Sequence, residues 1–141
     1  MKNNKKEVDR VYVRKKDKKI YKLLREDSPL KRRTNKEVFS LAVAFGVKFG
    51  TRIEYKKSEA KDGLFLLKDL RRPEDSILFS IAIKEAKNLE IMNNQAEIFL
   101  ILEEYANSGI HILRGKIFSE DKGDFSKRFG NDLIKQIKDN F

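Results

Sequence analysis

At 141 residues the chain is long enough for one domain with a real core and too short to make two cores the first expectation. Thirty-two lysines and arginines outweigh twenty-two aspartates and glutamates, for a formal net charge of +10, and the absence of cysteine excludes disulfides, thiolate metal sites and a cysteine nucleophile. The excess charge is local: residues 1–36 carry fifteen basic against five acidic side chains, whereas residues 37–141 carry seventeen of each. Charge concentrated in this way favours a polyanion such as nucleic acid, with another acidic partner or a merely solvated end as the alternatives. No stretch reaches the roughly 18 apolar residues of a membrane span and no apolar segment follows the charged start. A soluble, cytoplasmic protein is the expectation.

Residues 1–7 read as a flexible basic N-terminus, and residues 8–141 as a single mainly helical domain. The segment "VYVRKKDKKIYKLLRE" opens as a short strand, with Val11 and Val13 alternating against Tyr12 and Arg14, then changes to helical spacing at Ile20, Leu23 and Leu24. Ser28 and Pro29 interrupt it. Thr34 followed by Glu37 has capping-box spacing before "VFSLAVAFGVKF", so a second helix starts there. Apolar or small residues occupy most of its circumference, which implies burial by its own chain or by a second subunit. Ala42, Gly46 and Gly50, at steps of four, form a small-residue stripe where another backbone can approach; Gly50 alternatively serves as the C-cap.

Further along, "RIEY" is compatible with a short strand, "SEAKDG" with a turn, and "LFLL" with a strand or buried connector. Pro73, Glu74 and Asp75 suit the first turn of a helix running through "ILFSIAIKEA". Another helix is expected over Glu90–Ala106, stopping at Asn107–Gly109 before a separate helical segment "IHILRGKIF". Phe125, Phe129, Leu133 and Ile137 recur every fourth residue and predict a terminal amphipathic helix.

A basic strand followed by two helices is compatible with a ribbon-helix-helix arrangement at the N-terminus, in which two chains pair their strands and present the ribbon to duplex DNA. On that reading Arg10, Tyr12 and Arg14 share the outer strand face, and Lys15 follows them. Lys31, Arg32, Arg33 and Lys36, with Thr34 and the backbone N–H groups opened at its helix end, are the candidate phosphate contacts on duplex or nicked DNA. Tyr12 and Tyr21 are too few to establish a stacking platform.

Catalytic signals are thin. His111 is the only histidine and sits among apolar neighbours, so no familiar zinc set is available. Glu103 and Glu104 are adjacent on a helix and diverge, while Glu120, Asp121 and Asp124 lack the spacing of a calcium loop. Glu54 and Lys56 reproduce the Glu-x-Lys fragment of metal-dependent nucleases, but Asp62 and Asp69 follow rather than precede it. No phosphate loop or dinucleotide fingerprint occurs. The expectation is a protein without catalytic residues, metal or cofactor.

Three segments carry a family resemblance: "SPLKRRTNKEVFSLAVAFGVKFG", "DSILFSIAIKEAKN" and "EIFLILEEYANSGIHIL", ordered as basic entrance, apolar helix, helical middle and acidic-aromatic helix. Together they resemble the dnd system-associated protein 4 family, small accessory proteins of bacterial DNA phosphorothioation systems, over much of residues 28–113. The resemblance implies an intracellular, non-enzymatic role in DNA modification and defence. Contact with DNA through the basic region rests on the charge distribution, and a helical scaffold for another protein of the phosphorothioation or restriction machinery is the alternative. A homodimer is compatible with both.

Overall fold

The computed structural model describes residues 9–119. Strand β1 (Arg10–Arg14) pairs antiparallel with strand β2 (Lys61–Leu66), Val11 lying opposite Phe65 and Tyr12 opposite Gly63. That register leaves Leu64 as the extra residue of a β-bulge, so Leu64 and Phe65 are both buried although adjacent in sequence. Of the expected turn "SEAKDG" only the first half holds: the chain turns at residues 57–58, while Lys61, Asp62 and Gly63 already belong to β2, as do the first three residues of "LFLL". "RIEY", in contrast, forms no strand: residues 51–60 run as irregular chain.

Among the described residues there are four α-helices, so the mainly helical expectation holds: α1 (Lys18–Asp27), α2 (Asn35–Phe49), α3 (Ser76–Ala86) and α4 (Gln95–Ser119). Helix α1 follows a 3-10 turn at Lys15–Asp17 and turns Ile20, Tyr21 and Leu24 into the core. The capping box forms as the sequence predicts: the Glu37 N–H donates to Thr34 Oγ1 at 3.2 Å and the Thr34 N–H donates to Glu37 Oε1 at 3.0 Å. Pro73 opens a 3-10 turn that leads into α3, where Asp75 Oδ2 accepts from the Arg72 N–H.

The core of the molecule is the crossing of α2 and α4. Ala42, Gly46 and Gly50 lie along the contact: a Cβ on Gly46 would meet the Tyr105 carbonyl, and one on Gly50 would stand 2.6 Å from Ser108 Oγ. The small-residue stripe therefore lets two helical backbones touch within one chain. The matching gap in α4 is Gly109, whose absent Cβ leaves room for the Ala42 carbonyl. This explains why α4 does not stop at Asn107–Gly109 as expected. A mid-helix glycine costs roughly 1 kcal/mol relative to alanine, and here close packing offsets it. Asn107 and Ser108 also tie the irregular segment to α4, through Asn107 Nδ2 to the Ile53 carbonyl (2.9 Å) and Ser108 Oγ to the Thr51 carbonyl (2.6 Å). The helix begins later than expected, at Gln95, because Asn94 Oδ1 accepts from the Glu97 N–H at 3.1 Å and caps it; residues 89–93 form a 3-10 turn instead.

Helix α3 packs on α4 with Phe79 set edge-on to Phe99 at 5.5 Å. The Tyr105 hydroxyl donates to Glu85 Oε1 at 2.6 Å; burial and that carboxylate push the phenol up to about 12. The expected flexible start at 1–7 and the terminal amphipathic helix both lie outside the described residues. No helix of the described part is long and apolar enough to cross a membrane.

The strand pairing differs from a ribbon-helix-helix ribbon. β1 pairs with β2 of its own chain, and the Tyr12 backbone is engaged by other elements: its N–H donates to Glu103 Oε2 (3.0 Å) and its carbonyl accepts from the Tyr55 hydroxyl (3.1 Å). The Tyr12 groups that a second copy's β1 would use are thus already engaged by Glu103 of α4 and by Tyr55.

Candidate nucleic-acid interface

Beneath the basic N-terminal segment lies a buried polar layer that fixes it on α4. Arg14 Nε donates to Asp17 Oδ2 at 2.7 Å and Arg14 Nη2 to the Asn107 carbonyl at 2.9 Å; His111 Nε2 stands 2.8 Å from Asp17 Oδ1. Asp17 is 1% exposed and Arg14 6%. Beside this group, Glu103 accepts from the Tyr12 N–H and the Tyr55 hydroxyl, the latter at 2.9 Å. Burial raises the Glu103 carboxyl above its usual range, against the lowering effect of those two hydrogen bonds and of Lys61. Burial and the Glu103 charge likewise raise the Tyr55 phenol far above its ordinary value, so it remains a donor.

The Glu103 shift has a defined sign in stability. Between the ordinary glutamate value of 4.5 and the raised folded value, the native state binds more protons than the unfolded chain, so this group makes stability fall as pH rises through that window. Urea midpoints measured from about pH 4.5 upward are expected to show the decline, and Glu103→Gln is expected to remove this contribution. An unchanged slope in Glu103→Gln would assign the pH dependence to other groups.

The structure separates the expected contact residues into two sets. Arg14 faces inward, because the chain leaves the strand at once for the 3-10 turn and the guanidinium meets Asp17 and the Asn107 carbonyl; it corrects the expectation of an outer face shared by Arg10, Tyr12 and Arg14. Lys36 Nζ is held by Asp75 Oδ2 at 3.0 Å and by the Asp69 carbonyl, and Arg33 pairs with Glu37 at 3.6 Å. Thr34 serves as the α2 cap. Arg10, Lys15, Lys31 and Arg32 are exposed, without an acidic partner among the described residues. Arg32 holds a left-handed backbone, φ 77°, which is strained for a residue with a side chain.

A basic face on α1 was missed by reading the first segment only at its strand. Lys15, Lys18, Lys19, Lys22 and Arg25 follow at helical steps of three and four, a signal that "KKDKKIYKLLR" contains. Lys18 pairs with Asp62 at 3.2 Å and Lys16 with Glu59 at 3.3 Å, while Lys19 and Lys22 are exposed without such a partner among the described residues. The backbone N–H of Lys56 and the Lys16 ammonium hold the half-buried Glu59 carboxyl below its usual range. Helix α1 lies beside the start of α2: Lys18, Lys19, Lys22 and Arg25 line one depression together with Asn35, the first residue of α2. The α1 face and the loop that ends in Lys31–Arg33 are therefore neighbours.

The nuclease fragment does not assemble. Glu54 and Lys56 are exposed on irregular chain rather than alternating on a strand, and Asp62 is engaged by Lys18. Among the described residues no group of three or more His, Asp or Glu is placed to hold a metal ion; Glu120, Asp121 and Asp124 lie outside them. A family model described as DNA sulphur modification system-associated protein 4 matches residues 10–140, nearly the whole chain. The protein belongs to that family. No curated protein and no solved structure matches it. Membership in the DNA sulphur modification system-associated protein 4 family ties the chain to a DNA sulphur modification system. The match begins at Arg10, so the family pattern takes in β1 and the basic α1 as well as the α2–α4 region that carries the resemblance in the sequence.

Proposed function

We propose that this chain is an accessory protein of a DNA sulphur-modification system that holds the sugar-phosphate backbone of duplex or nicked DNA on the α1 face and the adjoining loop. The observation that carries the reading is the set of exposed cations Lys19 and Lys22 on α1, beside the start of α2, with Lys31 and Arg32 in the loop that leads into α2, in a family tied to DNA modification. Arg10, at the start of β1, and Lys15, before α1, are further exposed cations that could reach the backbone. Such contacts position the protein without reading sequence.

Binding is expected to weaken as salt rises. Replacing Lys19, Lys22 and Arg32 together by glutamine should lower the magnitude of the slope of log K against log salt by about 3, similarly for unrelated sequences. Fluorescence anisotropy at several salt concentrations measures it, and a wild-type protein that binds no DNA at low salt refutes the reading. Arg32→Gly separates fold from function: releasing the left-handed arginine is expected to stabilise the protein by about 1 kcal/mol while DNA affinity drops.

A scaffold role toward another protein of the system is favoured by one observation, the exposed apolar side chains Leu89 and Met92, 71% and 61% exposed, on the turn before α4. A complex that survives nuclease treatment and loss of the α1 charges would support it.

A further inference from the structure

The far end of α2 carries a cluster that neither the core nor the α1 face uses. Phe49, the last residue of the helix, is 54% exposed, and its ring lies beside that of Phe45, with centroids 5.6 Å apart and planes inclined by 32°. Two ammonium groups from different helices converge on it: Lys48 Nζ stands 5.4 Å from the Phe49 centroid and Lys116 Nζ, on α4, stands 5.7 Å away. Both distances approach the outer limit of about 6 Å for a cation–π contact. The lysines therefore flank the ring and leave more than half of the residue open. Neither has a carboxylate partner among the described residues, whereas Arg52, just beyond Phe49 in sequence, is held by Glu104 through Nε at 2.9 Å.

Each part has an ordinary explanation by itself. A lysine in the last turn of a helix suits the negative end of its dipole, and single exposed apolar side chains are common. Together they set two uncompensated cations and an open aromatic ring at one point of the surface. That combination selects a ligand with a flat π face and a negative charge attached to it. A nucleotide has both, whereas an acidic peptide offers the charge alone and an apolar peptide the contact alone. Paired bases already stack on one another, so the ring is open only to a base that has left the duplex, and any base will serve because each has a π face. Helix α2 separates the cluster from the α1 cations: its 15 residues span about 22 Å, with Asn35 beside α1 and Phe49 at the opposite end.

We propose that Phe49, Lys48 and Lys116 form a subsite for an unpaired nucleotide of single-stranded DNA, the base stacking on the Phe49 ring and the two lysines meeting the phosphates on either side of it. On binding, the ammonium groups leave the ring for the phosphate oxygens and exchange weak cation–π contacts for charge-assisted hydrogen bonds. The subsite goes beyond the backbone contacts proposed above and does not rest on them. The α1 face takes paired backbone, and this end takes a base freed at a nick or a frayed terminus.

The sequence holds no tryptophan, so Phe49→Trp in the full chain places a single indole at the subsite. Titration at low salt with an oligothymidylate of about eight nucleotides is expected to quench its emission as a base stacks. Phe49→Leu keeps an apolar side chain at the helix end and removes the π face; it should weaken oligothymidylate binding about ten-fold and leave blunt-duplex binding unchanged. Lys48→Gln with Lys116→Gln should lower the magnitude of the single-strand salt slope by about 1.4. The proposal is overturned if oligothymidylate leaves the indole emission unchanged, if Phe49→Leu binds it as tightly as the wild type, or if Phe49→Leu weakens single strand and blunt duplex equally. Equal quenching by oligoglutamate also overturns it and assigns the cluster to an acidic protein. A wild-type chain that binds the single strand but no duplex removes the α1 reading and keeps this one.

Discussion

Gly109→Ala is expected to be the most damaging single substitution in the molecule. A methyl group there collides with the Ala42 carbonyl and comes within 2.7 Å of the Gly46 nitrogen, both of them backbone atoms of α2 that no rotamer change can move. The two helices would have to separate, and with them the largest buried surface of the fold. Ordinary overpacking costs about 1–3 kcal/mol; a main-chain collision at the centre of the core is expected to exceed about 4 kcal/mol, which is comparable to the whole stability of many domains. Gly46→Ala meets the Tyr105 carbonyl in the same way and should be similarly severe. Gly115→Ala, in the same helix with nothing within 4 Å of the added carbon, is the control. It should stabilise α4 by about 1 kcal/mol. Urea denaturation followed by circular dichroism distinguishes the three, and a Gly109→Ala protein with an unchanged midpoint would refute the close approach of α2 and α4.

Asp17→Ala is expected to have the second largest effect, about 3–5 kcal/mol. It removes the carboxylate that accepts from Arg14 Nε and contacts His111, and leaves the Arg14 guanidinium buried without a counter-charge. The penalty arises from the abandoned charge more than from the lost pair. Replacing both partners, as in Arg14→Met with Asp17→Leu, should therefore be less harmful than the sum of the single changes. A double-mutant cycle on urea midpoints reads that coupling; strict additivity would show that the two side chains do not act as a pair.

How far the sequence revealed this molecule depended on whether a signal was local. The Thr34–Glu37 box and the four-residue spacing of Ala42, Gly46 and Gly50 are local patterns, and both appear in the structure where expected, with Gly50 both lying on the stripe and capping α2. Asn107, Ser108 and Gly109 have two meanings. As a composition they signal a turn, yet in contact with α2 and the Thr51–Ile53 segment they serve as a helix-crossing point and two tethers, and only the tertiary contacts choose between these roles. Arg14 was misplaced for a similar reason: period-two alternation puts it outside, while the chain's immediate exit from the strand turns it toward Asp17 and Asn107. The exposed cations Arg10, Lys15, Lys31 and Arg32 were legible from charge alone. The depression on the α1 face was not, because it is formed by residues from three separated elements.

The polar layer under β1 also constrains the order in which the protein can be completed. Its hydrogen bonds join Tyr12 to Glu103, Arg14 to Asn107 and Asp17 to His111, at separations of 91, 93 and 94 residues. On the ribosome the N-terminal strand and its buried arginine emerge early and then have no helical partner until α4 has been made. At about 5–20 residues per second that interval lasts roughly 5–20 s. During that time Arg14 is solvated, and the most basic part of the chain is also its least consolidated. Strand β1 is thus made well before α4 and is among the last elements to be locked in place.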